Sequence, residues 1–586
     1  MTASASDNHS ALLDAVRAFH QDDPDDVTRA ELQALLDKND IAGLQARFAA
    51  PLAFGTAGLR GEIGAGPARM NRAVVARATA GLCMHMLEAN PKARERGLCI
   101  GFDGRRMSRE LAEETAAVAA GFGIPVHLFA EPVPTPVLAF AVLDVGAAAG
   151  VMVTASHNPA ADNGYKAYWD NGAQVIPPHD RGTEDAMAKV TSVKALKRLD
   201  PKARAQAGLT RAISEDVTKR YFAGVAEIGD FGSRKGRGLP IVYTALHGVG
   251  GRWVKEALGN AGFSNLHVVA EQFEPHPDFP TVAFPNPEEP GAMDLSHALA
   301  KKIGAALVIA NDPDADRLAA AAPDRNGELV AFTGNEIGAL LTEHLLTRAG
   351  ARKDKLILSS IVSSPIVGVI AKAHDARWEP TLTGFKWIAN RAITLRKEQK
   401  LEMVLGLEEA LGYSAGALVR DKDGVSTALC IASIAAELHE KGKSLVDALD
   451  ALFAKYGVYV SGQVSLKAAG LDGPAKMAAV MARARANPPS EVAGCKVSSI
   501  IDLRDSSFTG TPSFDPRTLP SSDVVIWELG EQGRIALRPS GTEPKLKLYL
   551  DASSRVQPGE AVATARARAT KLMNELSADA RARLDL

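Results

Sequence analysis

Thr154-Ala-Ser-His-Asn-Pro159 is a polar turn that directly follows the apolar run Val151–Val153. Much later in the chain, Asp312-Pro-Asp-Ala-Asp-Arg317 places three aspartates at alternate positions after a second apolar run, Ala306–Ala310. One hydroxyl nucleophile and three closely spaced carboxylates form the set that metal-assisted phosphoryl transfer requires. The carboxylates hold a hard divalent cation, and the cation screens phosphate charge as the group moves.

Short apolar runs alternate with amphipathic stretches on both sides of these two turns. This alternation predicts an α/β protein whose parallel sheets are built from strand–helix–strand units. The predicted strands are Leu98–Phe102, Gly150–Val153, Leu239–Tyr243, Ala306–Ala310, Lys355–Leu358 and Met403–Leu405, and the helices between them include Arg109–Gly121 and Asn335–Arg348.

The two ends of the chain have a different character. Residues 10–50 show helical periodicity, and the C-terminal part predicts an α+β domain. That domain has a strand at Val458–Leu466, a helix at Lys476–Ala486, a strand–loop–strand at Gly533–Asp551 and a helix at Gly559–Leu576. At about 150 residues per domain, 586 residues predict roughly four domains. We place a helical extension at 1–50, α/β domains at 51–215, 216–345 and 346–465, and the α+β domain at 466–586.

The composition predicts a soluble cytoplasmic protein. The net charge of −2 does not suit a protein whose main partner is a nucleic acid. The four cysteines show no CxxC spacing, which is typical of a reduced protein without zinc or disulfides. The N-terminus lacks the apolar core of a secretory signal. The most apolar run, Val133–Thr154, is broken by prolines and Asp144, so no membrane span is expected.

Each of the two turns has a simpler interpretation. Ser156 needs activation before it can act as a nucleophile, and the same turn also suits a helix N-cap. His157 is either a base or an orienting residue. The aspartates do not form a calcium loop, because the sixth and twelfth positions hold Arg317 and Pro323 instead of Gly and Glu. A bound metal is favoured over solvated charge, since the loop follows five apolar residues, and Arg317 is placed to orient a carboxylate or a phosphate.

Three further segments are candidates for binding sites. The segment Arg538-Pro-Ser-Gly-Thr-Glu-Pro544 offers a guanidinium, two hydroxyls and a glycine to bind a phosphate. The alternative is an ordinary hairpin loop, because Pro-Ser-Gly favours turns. Gly406-Leu-Glu-Glu-Ala-Leu-Gly412 offers paired carboxylates for sugar hydroxyls, or simply glutamates at a helix N-terminus. Thr383-Gly-Phe-Lys386 offers a lysine on a glycine turn, which taken alone is more typical of a surface loop.

Together, the five segments resemble the α-D-phosphohexomutase superfamily. The resemblance covers nearly the whole chain after about residue 50 and follows the order of that family. Other segments that carry it are Gly55–Arg60, Gly101–Arg105, Asp162–Lys166 and Leu246–Gly250. The form of the Lys386 and Glu408 segments is most similar to the branch that holds phosphoglucomutases and phosphopentomutases of the second animal type.

The resemblance implies the four-domain phosphohexomutase architecture, with three α/β mixed-sheet domains and a C-terminal α+β lid around a central cleft. It implies that Ser156 carries a phosphoryl group and binds Mg²⁺ together with Asp312, Asp314 and Asp316. Lys166 matches the proposed general base or acid, with Arg60 nearby. We expect Arg60 and Mg²⁺ to lower the pKa of Lys166.

The remaining implied residues hold the substrate. Glu408 would bind sugar hydroxyls. The phosphate that does not react would be held by Lys386, Arg538, Ser540, Gly541 and Thr542. The family commonly has a serine where this chain has Ala410, which leaves the identity of the sugar open; Tyr413 is a second hydroxyl that we considered.

The function implied is a phosphoglucomutase that interconverts glucose 1-phosphate and glucose 6-phosphate through phosphoserine and a 1,6-bisphosphate. Phosphopentomutase, phosphomannomutase and sugar-bisphosphate synthase are alternatives; a catalytically silent sugar-phosphate sensor is disfavoured by the intact serine and aspartates. The expected cofactors are Mg²⁺ and glucose 1,6-bisphosphate as activator. The expected partner is a small phosphosugar, and the expected oligomeric state is a monomer or homodimer.

Overall fold

The computed structural model describes residues 5–54, 58–467, 473–539 and 545–585. The chain divides into two compact units. The first comprises Met1–Ala321 and Ala417–Ala436, and the second comprises Ala322–Gly416 and Glu437–Leu586. No helix in the described ranges is long and apolar enough to cross a membrane.

The N-terminal extension consists of three helices: α1 (Ala5–Asp22), α2 (Asp26–Asp37) and α3 (Ile41–Phe48). Asp25 and Asp40 cap the second and third helices through hydrogen bonds to backbone N–H groups. Val16, Leu32 and Leu44 form a small core between the helices. The helical periodicity of this region is therefore confirmed.

The first sheet carries the serine turn. Its strands are β1 (Leu59–Glu62), β2 (Leu98–Phe102), β3 (Val126–Leu128), β4 (Ala149–Val153), β5 (Asp162–Trp169) and β6 (Thr210–Arg211), in the order β1-β5-β4-β2-β3-β6. The sheet is mixed, since β2 is parallel to β3 and β4, whereas β5 is antiparallel to β4 and β1. The helices of this part are α4 (Arg72–Ala89), α5 (Ala93–Arg96), α6 (Ser108–Gly121), α7 (Thr135–Asp144), α8 (His179–Ala188), α9 (Pro201–Gln206) and α10 (Glu215–Gly229).

The second sheet carries the aspartate turn. Its strands are β7 (Ile241–Thr244), β8 (Leu266–Val268), β9 (Leu307–Ala310), β10 (Ala319–Pro323) and β11 (Leu329–Ala331), in the order β11-β10-β9-β7-β8. The helices are α11 (Gly250–Asn260), α12 (Ala270–Phe273) and α13 (Asp294–Ile303). Strand β7 starts at Ile241, two residues later than predicted, because Pro240 has no N–H group to donate to a neighbouring strand.

The second unit contains the other two sheets. The third has β12 (Lys355–Ser360), β13 (Arg377–Thr381), β14 (Glu402–Glu408) and β15 (Gly412–Ala415) in the order β13-β12-β14-β15. The helices of this part of the chain are α14 (Gly334–Ala349), α15 (Ile366–Ala373), α16 (Phe385–Gln399), α17 (Gly424–His439) and α18 (Leu445–Tyr456). Of these, α17 up to Ala436 belongs to the first unit.

The fourth sheet is antiparallel and lies in the C-terminal part. Its order is β16-β23-β22-β21-β19-β20, with β16 (Val458–Lys467), β19 (Ser499–Asp502), β20 (Ser507–Gly510), β21 (Val525–Glu528), β22 (Gly533–Pro539) and β23 (Lys545–Ser554); β17 (Glu491–Val492) and β18 (Cys495–Lys496) form a separate pair. The helices are α19 (Gly473–Ala486) and α20 (Val562–Arg583). Helix α20 continues beyond the predicted end at Leu576, since alanines and arginines extend its helix-forming sequence. The predicted α/β class with a C-terminal α+β domain is confirmed.

Candidate active site

The serine turn begins where the buried strand β4 ends. Ser156 is 3% exposed and has a left-handed backbone, with φ of 54°. The turn leads directly into β5, so no helix starts here and the N-cap interpretation of Ser156 is wrong. The Ser156 hydroxyl therefore does not cap a helix, and its contacts lie with other side chains of the site.

The aspartate turn follows β9 and reverses at Ala315, which also has a left-handed backbone. Asp312, Asp314 and Asp316 are at most 1% exposed, and one ligand atom from each lies within 4.8 Å of the others. The Ser156 Oγ donates a hydrogen bond of 2.8 Å to Asp312 Oδ2. The two turns therefore meet, as the sequence predicts.

Two carboxylate oxygens of this cluster are buried without a hydrogen-bond partner. They are Asp314 Oδ1 and Asp316 Oδ1. The other oxygen of Asp314 accepts from Thr135 Oγ1 at 2.6 Å and from Lys166 Nζ at 2.7 Å. Buried, unpaired carboxylate oxygens are costly unless a cation or a donor satisfies them. An all-oxygen donor set of this kind fits Mg²⁺.

The three carboxyl groups do not share their charge equally. Burial, followed by the neighbouring Asp314 and Asp316, raises the pKa of Asp312 well above its usual value. For Asp314, burial is outweighed by the Lys166 ammonium and by hydrogen bonds from Lys166 and Thr135, which lower its pKa. In the absence of a cation, Asp312 therefore holds a proton more readily than Asp314.

Lys166 projects from β5 into the aspartate cluster. It is 4% exposed, and its Nζ lies 2.7 Å from Asp314 Oδ2 and 3.0 Å from Asp316 Oδ2. Burial lowers the pKa of Lys166, but the two carboxylates outweigh burial and raise it. The expected lowering of this pKa includes the effect of Mg²⁺; in the protein without a cation the pKa is raised. The resemblance places Arg60 near Lys166, but the sequence does not indicate that two carboxylates, those of Asp314 and Asp316, lie within 3.0 Å of its Nζ.

Three further residues predicted for the site lie at the serine and aspartate turns. Arg60, on β1, donates from Nη1 to Asn158 Oδ1 at 3.1 Å. The Arg317 N–H donates to Asp312 Oδ1 at 3.0 Å. His157 Nδ1 lies 3.3 Å from Ser156 Oγ. Burial, then the nearby Arg317 and Arg60, hold the pKa of His157 well below its usual value, so the imidazole is neutral.

Lys422 is a residue of the site that the sequence did not reveal. Its Nζ lies 3.1 Å from Asp316 Oδ2 and 3.3 Å from Asp421 Oδ1. Asp421 Oδ2 in turn accepts from Tyr168 and Gln174, each at 2.7 Å. The signal that could have indicated it is Asp421-Lys-Asp-Gly424, a charged turn before α17.

The second unit contains the paired glutamates. They lie in the hairpin between β14 and β15, so the alternative of a helix N-terminus is wrong. Glu409 Oε2 accepts from the hydroxyls of Ser360 and Ser363 at 2.8 and 3.0 Å. Glu408 Oε1 accepts from the Gly384 N–H at 2.7 Å. Glu409 is therefore tied to the protein through two serines, whereas Glu408 lies at the end of its strand.

Three other residues considered for substrate binding lie on helices and strands of the second unit. Lys386 lies in the first turn of α16 and is 4% exposed, so the surface-lysine interpretation is wrong. The Tyr413 hydroxyl is fully buried and donates to the Gly334 carbonyl at 2.8 Å, so it cannot replace the missing serine hydroxyl. Arg538 lies on β22, opposite Lys547 of β23. Ser540, Gly541 and Thr542 lie outside the described residues.

Family models of phosphoglucomutases and phosphomannomutases match four successive parts of the chain. The α/β/α domain I matches residues 51–194, domain II 219–327, domain III 333–456 and the C-terminal domain 522–567. These models follow one another in the order that the resemblance implies.

Relatives that are named as mutases of different sugars have similar sequence identities to this chain. A "probable phosphomannomutase" of Haemophilus influenzae is 38% identical over 492 residues, covering 83% of this chain and 93% of that protein. Human phosphopentomutase is 36% identical over 556 residues, covering 90% and 89%. A phosphoglucomutase of Staphylococcus aureus is 35% identical over 513 residues, covering 87% and 91%.

A solved structure shares the fold. The open form of Paramecium parafusin, a phosphoglucomutase, superposes with a TM-score of 0.64 at 19% identity, covering 91% of this chain and 96% of that chain.

Proposed function

Since the chain belongs to the phosphoglucomutase/phosphomannomutase family, we propose that it is a phosphoglucomutase, which interconverts glucose 1-phosphate and glucose 6-phosphate. Members of the family are isomerases that transfer a phosphoryl group, and the family is Mg²⁺-dependent; the choice of sugar is the proposed part. The observation that carries the mechanism is the hydrogen bond of 2.8 Å between Ser156 and Asp312 within a buried carboxylate cluster.

We assign Ser156 as the residue that carries the phosphoryl group. Asp312, Asp314, Asp316 and Ser156 are the residues that would hold Mg²⁺. When bound, the ion would supply positive charge that offsets the charge on the phosphoryl oxygens. The two unpaired oxygens of Asp314 and Asp316 support this assignment.

Cationic side chains surround the serine and would bind phosphoryl oxygens. We assign Arg60 and Arg317 to orient the phosphoryl group, since a guanidinium makes paired hydrogen bonds to phosphate. Lys166 is assigned to exchange a proton with the sugar hydroxyl; the two carboxylates beside it hold it as an ammonium, so in this state it carries the proton to be exchanged. The neutral imidazole of His157 would orient the Ser156 hydroxyl.

The substrate residues of the second unit are proposed from the resemblance and from their local geometry. Glu408 would bind sugar hydroxyls, as the resemblance implies; one of its carboxylate oxygens also accepts from the Gly384 N–H. The phosphate that does not react would be held by Lys386, Arg538, Ser540, Gly541 and Thr542. Phosphoryl transfer of this kind depends mainly on positioning and charge, which these groups would provide.

The other predictions stand as parts of the proposal. They are the domain boundaries near residues 50, 215, 345 and 465, closure of the C-terminal domain over a central cleft, activation by glucose 1,6-bisphosphate, a cytoplasmic location, and a monomer or homodimer. A closing domain would keep water away from the phosphoserine, which would otherwise hydrolyse.

A panel of sugar 1-phosphates tests the choice of sugar. Glucose, mannose and ribose 1-phosphates are assayed separately with Mg²⁺ and glucose 1,6-bisphosphate, and we expect the highest kcat/KM for glucose 1-phosphate. A preference for ribose 1-phosphate or mannose 1-phosphate would replace the proposal by phosphopentomutase or phosphomannomutase. Net release of sugar bisphosphate from a phosphoryl donor would identify a synthase.

A further inference from the structure

The backbone of the nucleophile is held in an unfavourable conformation. Ser156 has a φ of 54°, in the left-handed region that residues other than glycine rarely adopt. Such a backbone persists only when its surroundings hold it in place. We propose that Asp103 and Arg105 are positioning residues that fix Ser156 in this conformation, and that Phe279 covers the Arg105 guanidinium. This inference rests on the proposed role of Ser156.

Asp103 acts on the N–H side of Ser156 through a relay. The Thr154 hydroxyl donates to Asp103 Oδ2 at 2.6 Å and accepts the Ser156 N–H at 2.9 Å. Because a hydroxyl has a single hydrogen, Asp103 fixes its direction and leaves a lone pair for the Ser156 N–H. The other oxygen of Asp103 accepts from Ser108 Oγ at 2.6 Å and from the Arg105 N–H at 3.0 Å.

Arg105 acts on the carbonyl side. The residue is 5% exposed, and its Nε lies 3.3 Å from Asp103 Oδ2. Its two terminal nitrogens donate to four carbonyl groups, three in the serine turn and one at the start of β5: those of Ser156 (2.6 Å), Asn158 (2.6 Å), Pro159 (2.8 Å) and Asp162 (3.2 Å). A guanidinium is planar and rigid, so the four carbonyls are fixed relative to one plane. A lysine could not reproduce this arrangement.

Phe279 reaches the Arg105 guanidinium from a different part of the first unit. Its ring centroid lies 4.9 Å from Arg105 Cζ, and the residue is 3% exposed. Phe279 belongs to the connection between α12 and α13, which is anchored by a hydrogen bond of 3.0 Å from the His276 N–H to the His247 carbonyl. An aromatic face over the guanidinium is attractive and keeps water from competing for its donors.

These contacts have a consequence for the reaction. Both backbone groups of Ser156 are bound, one through Thr154 and one by Arg105, so the direction of its Cα–Cβ bond, from which Oγ reaches Asp312, is determined by residues outside the carboxylate cluster. A displacement of about 1 Å at a reacting atom is enough to cost roughly 100-fold in rate. The alternative is that Asp103 and Arg105 only stabilise the fold.

The experiment compares Arg105→Ala with Arg106→Ala. Arg106 is the adjacent arginine, is largely exposed and pairs with Asp278, so it controls for the loss of a positive charge at the same place in the chain. For Arg105→Ala we expect kcat per folded molecule to fall by roughly 100-fold, with KM within about twofold. Arg106→Ala should keep both values within about twofold.

Rescue separates positioning from stability. Guanidinium ion at low millimolar concentration should restore part of the activity of Arg105→Ala, and Arg105→Lys should recover much less than the unmodified enzyme because an ammonium lacks the planar fork. A kcat of Arg105→Ala within about twofold of the unmodified enzyme, or a loss confined to KM, would overturn the proposal. If Arg105→Ala does not fold, Phe279→Leu and Thr154→Val test the same arrangement, with an expected loss in kcat of roughly tenfold at unchanged KM.

The proposed function is tested first on the unmodified enzyme. If it converts no sugar 1-phosphate and gains no phosphoryl group from glucose 1,6-bisphosphate, the proposed function fails. If it is active and Arg105→Ala is equally active, only the positioning role fails.

Discussion

The Ser156 Oγ donates a hydrogen bond of 2.8 Å to Asp312 Oδ2, although the two residues are 156 positions apart in the chain. Ser156 follows a strand of the first sheet and Asp312 follows a strand of the second. Their contact within one compact unit places a hydroxyl nucleophile against a buried cluster of three carboxyl groups.

Replacing Ser156 by alanine should reduce turnover by roughly three orders of magnitude or more, because it removes the proposed covalent nucleophile. Exposed Ser490 provides a matched control, and Ser490→Ala should keep normal turnover. Steady-state kinetics give the rates, and intact mass with peptide mapping should place a phosphoryl group on the 154–159 peptide of the unmodified enzyme and of Ser490→Ala, but not of Ser156→Ala. A near-normal rate for Ser156→Ala would remove Ser156 from its assigned role.

Binding of Mg²⁺ should become tighter as the pH rises. Burial and two neighbouring carboxyl groups raise the pKa of Asp312, so without a cation this group keeps its proton above the usual aspartate pKa of about 3.9. A cation must displace that proton. The apparent affinity should therefore increase with pH up to the raised pKa of Asp312 and level off above it, with proton release measurable by calorimetry in buffers of different ionisation enthalpy.

The same pKa shift predicts how stability depends on pH. Without Mg²⁺, the folded protein binds more protons than the unfolded chain between the usual and the raised pKa of Asp312. The contribution of this group to the free energy of unfolding therefore falls as the pH rises through that range. Mg²⁺ should raise Tm more at higher pH, and Asp312→Asn should abolish this difference. A Tm increment that is independent of pH would contradict the prediction.

Replacing Lys422 by methionine should both destabilise the protein and slow the reaction. Lys422 is a half-buried cation beside the buried Asp316 and Asp421, and removing one partner of a buried ionic cluster costs up to about 3–5 kcal/mol. Chemical unfolding measures the stability, and kcat of the folded fraction measures the effect on the site. The exposed Lys441 offers a control, for which Lys441→Met should change neither quantity. Unchanged stability and kcat of Lys422→Met would show that the cluster tolerates its loss.

Tyr413→Phe should affect stability and not substrate binding. The hydroxyl is buried and donates to the Gly334 carbonyl, so its removal loses one hydrogen bond at a cost of about 0.5–1.5 kcal/mol. Since the hydroxyl is already engaged inside the protein, KM for the sugar phosphate should stay within about twofold. A rise in KM without loss of stability would mean that Tyr413 binds the sugar after all.

Ala410→Ser should improve the use of glucose 1-phosphate. The substitution restores the hydroxyl that the family commonly has after its sugar-binding glutamate, and one hydrogen bond contributes about 0.5–1.5 kcal/mol, or roughly 2- to 10-fold in kcat/KM. Exposed Ala417 serves as the control, and Ala417→Ser should have no effect. Equal kcat/KM values for Ala410→Ser and the unmodified enzyme would mean that residue 410 does not contact the sugar.

The elements that the sequence predicts well are those in which pattern and environment agree. Leu98–Phe102 and the run that ends at Val153 are short, apolar and bounded by turn residues, and both are buried strands. The serine and aspartate turns are predictable from the sequence because polar residues directly after a buried strand indicate a candidate site.

The features that the sequence did not predict depend on contacts between distant segments. Lys422 lies in a charged turn that reads as a solvated loop, and only its return to Asp316 gives it a place in the site. The two carboxylates that raise the pKa of Lys166 in the absence of Mg²⁺ come from the turn of another sheet, so the sequence did not indicate them. Tyr413 looked available for a sugar because its buried partner, the Gly334 carbonyl, is not visible in the sequence.

Residues 417–436 belong to the first unit although part of the second unit precedes them in the chain, and this affects folding during synthesis on the ribosome. Helix α17 contributes a continuous series of buried residues there, and Tyr221 and Gly229 of α10 are hydrogen-bonded to Asp423 and Ser433. A nascent chain that ends near Ala321 lacks this helix and exposes the apolar surface that it covers. The first unit therefore cannot be completed until the polypeptide through Ala436 has emerged, and a fragment truncated at Ala321 should aggregate unless α17 is supplied in trans.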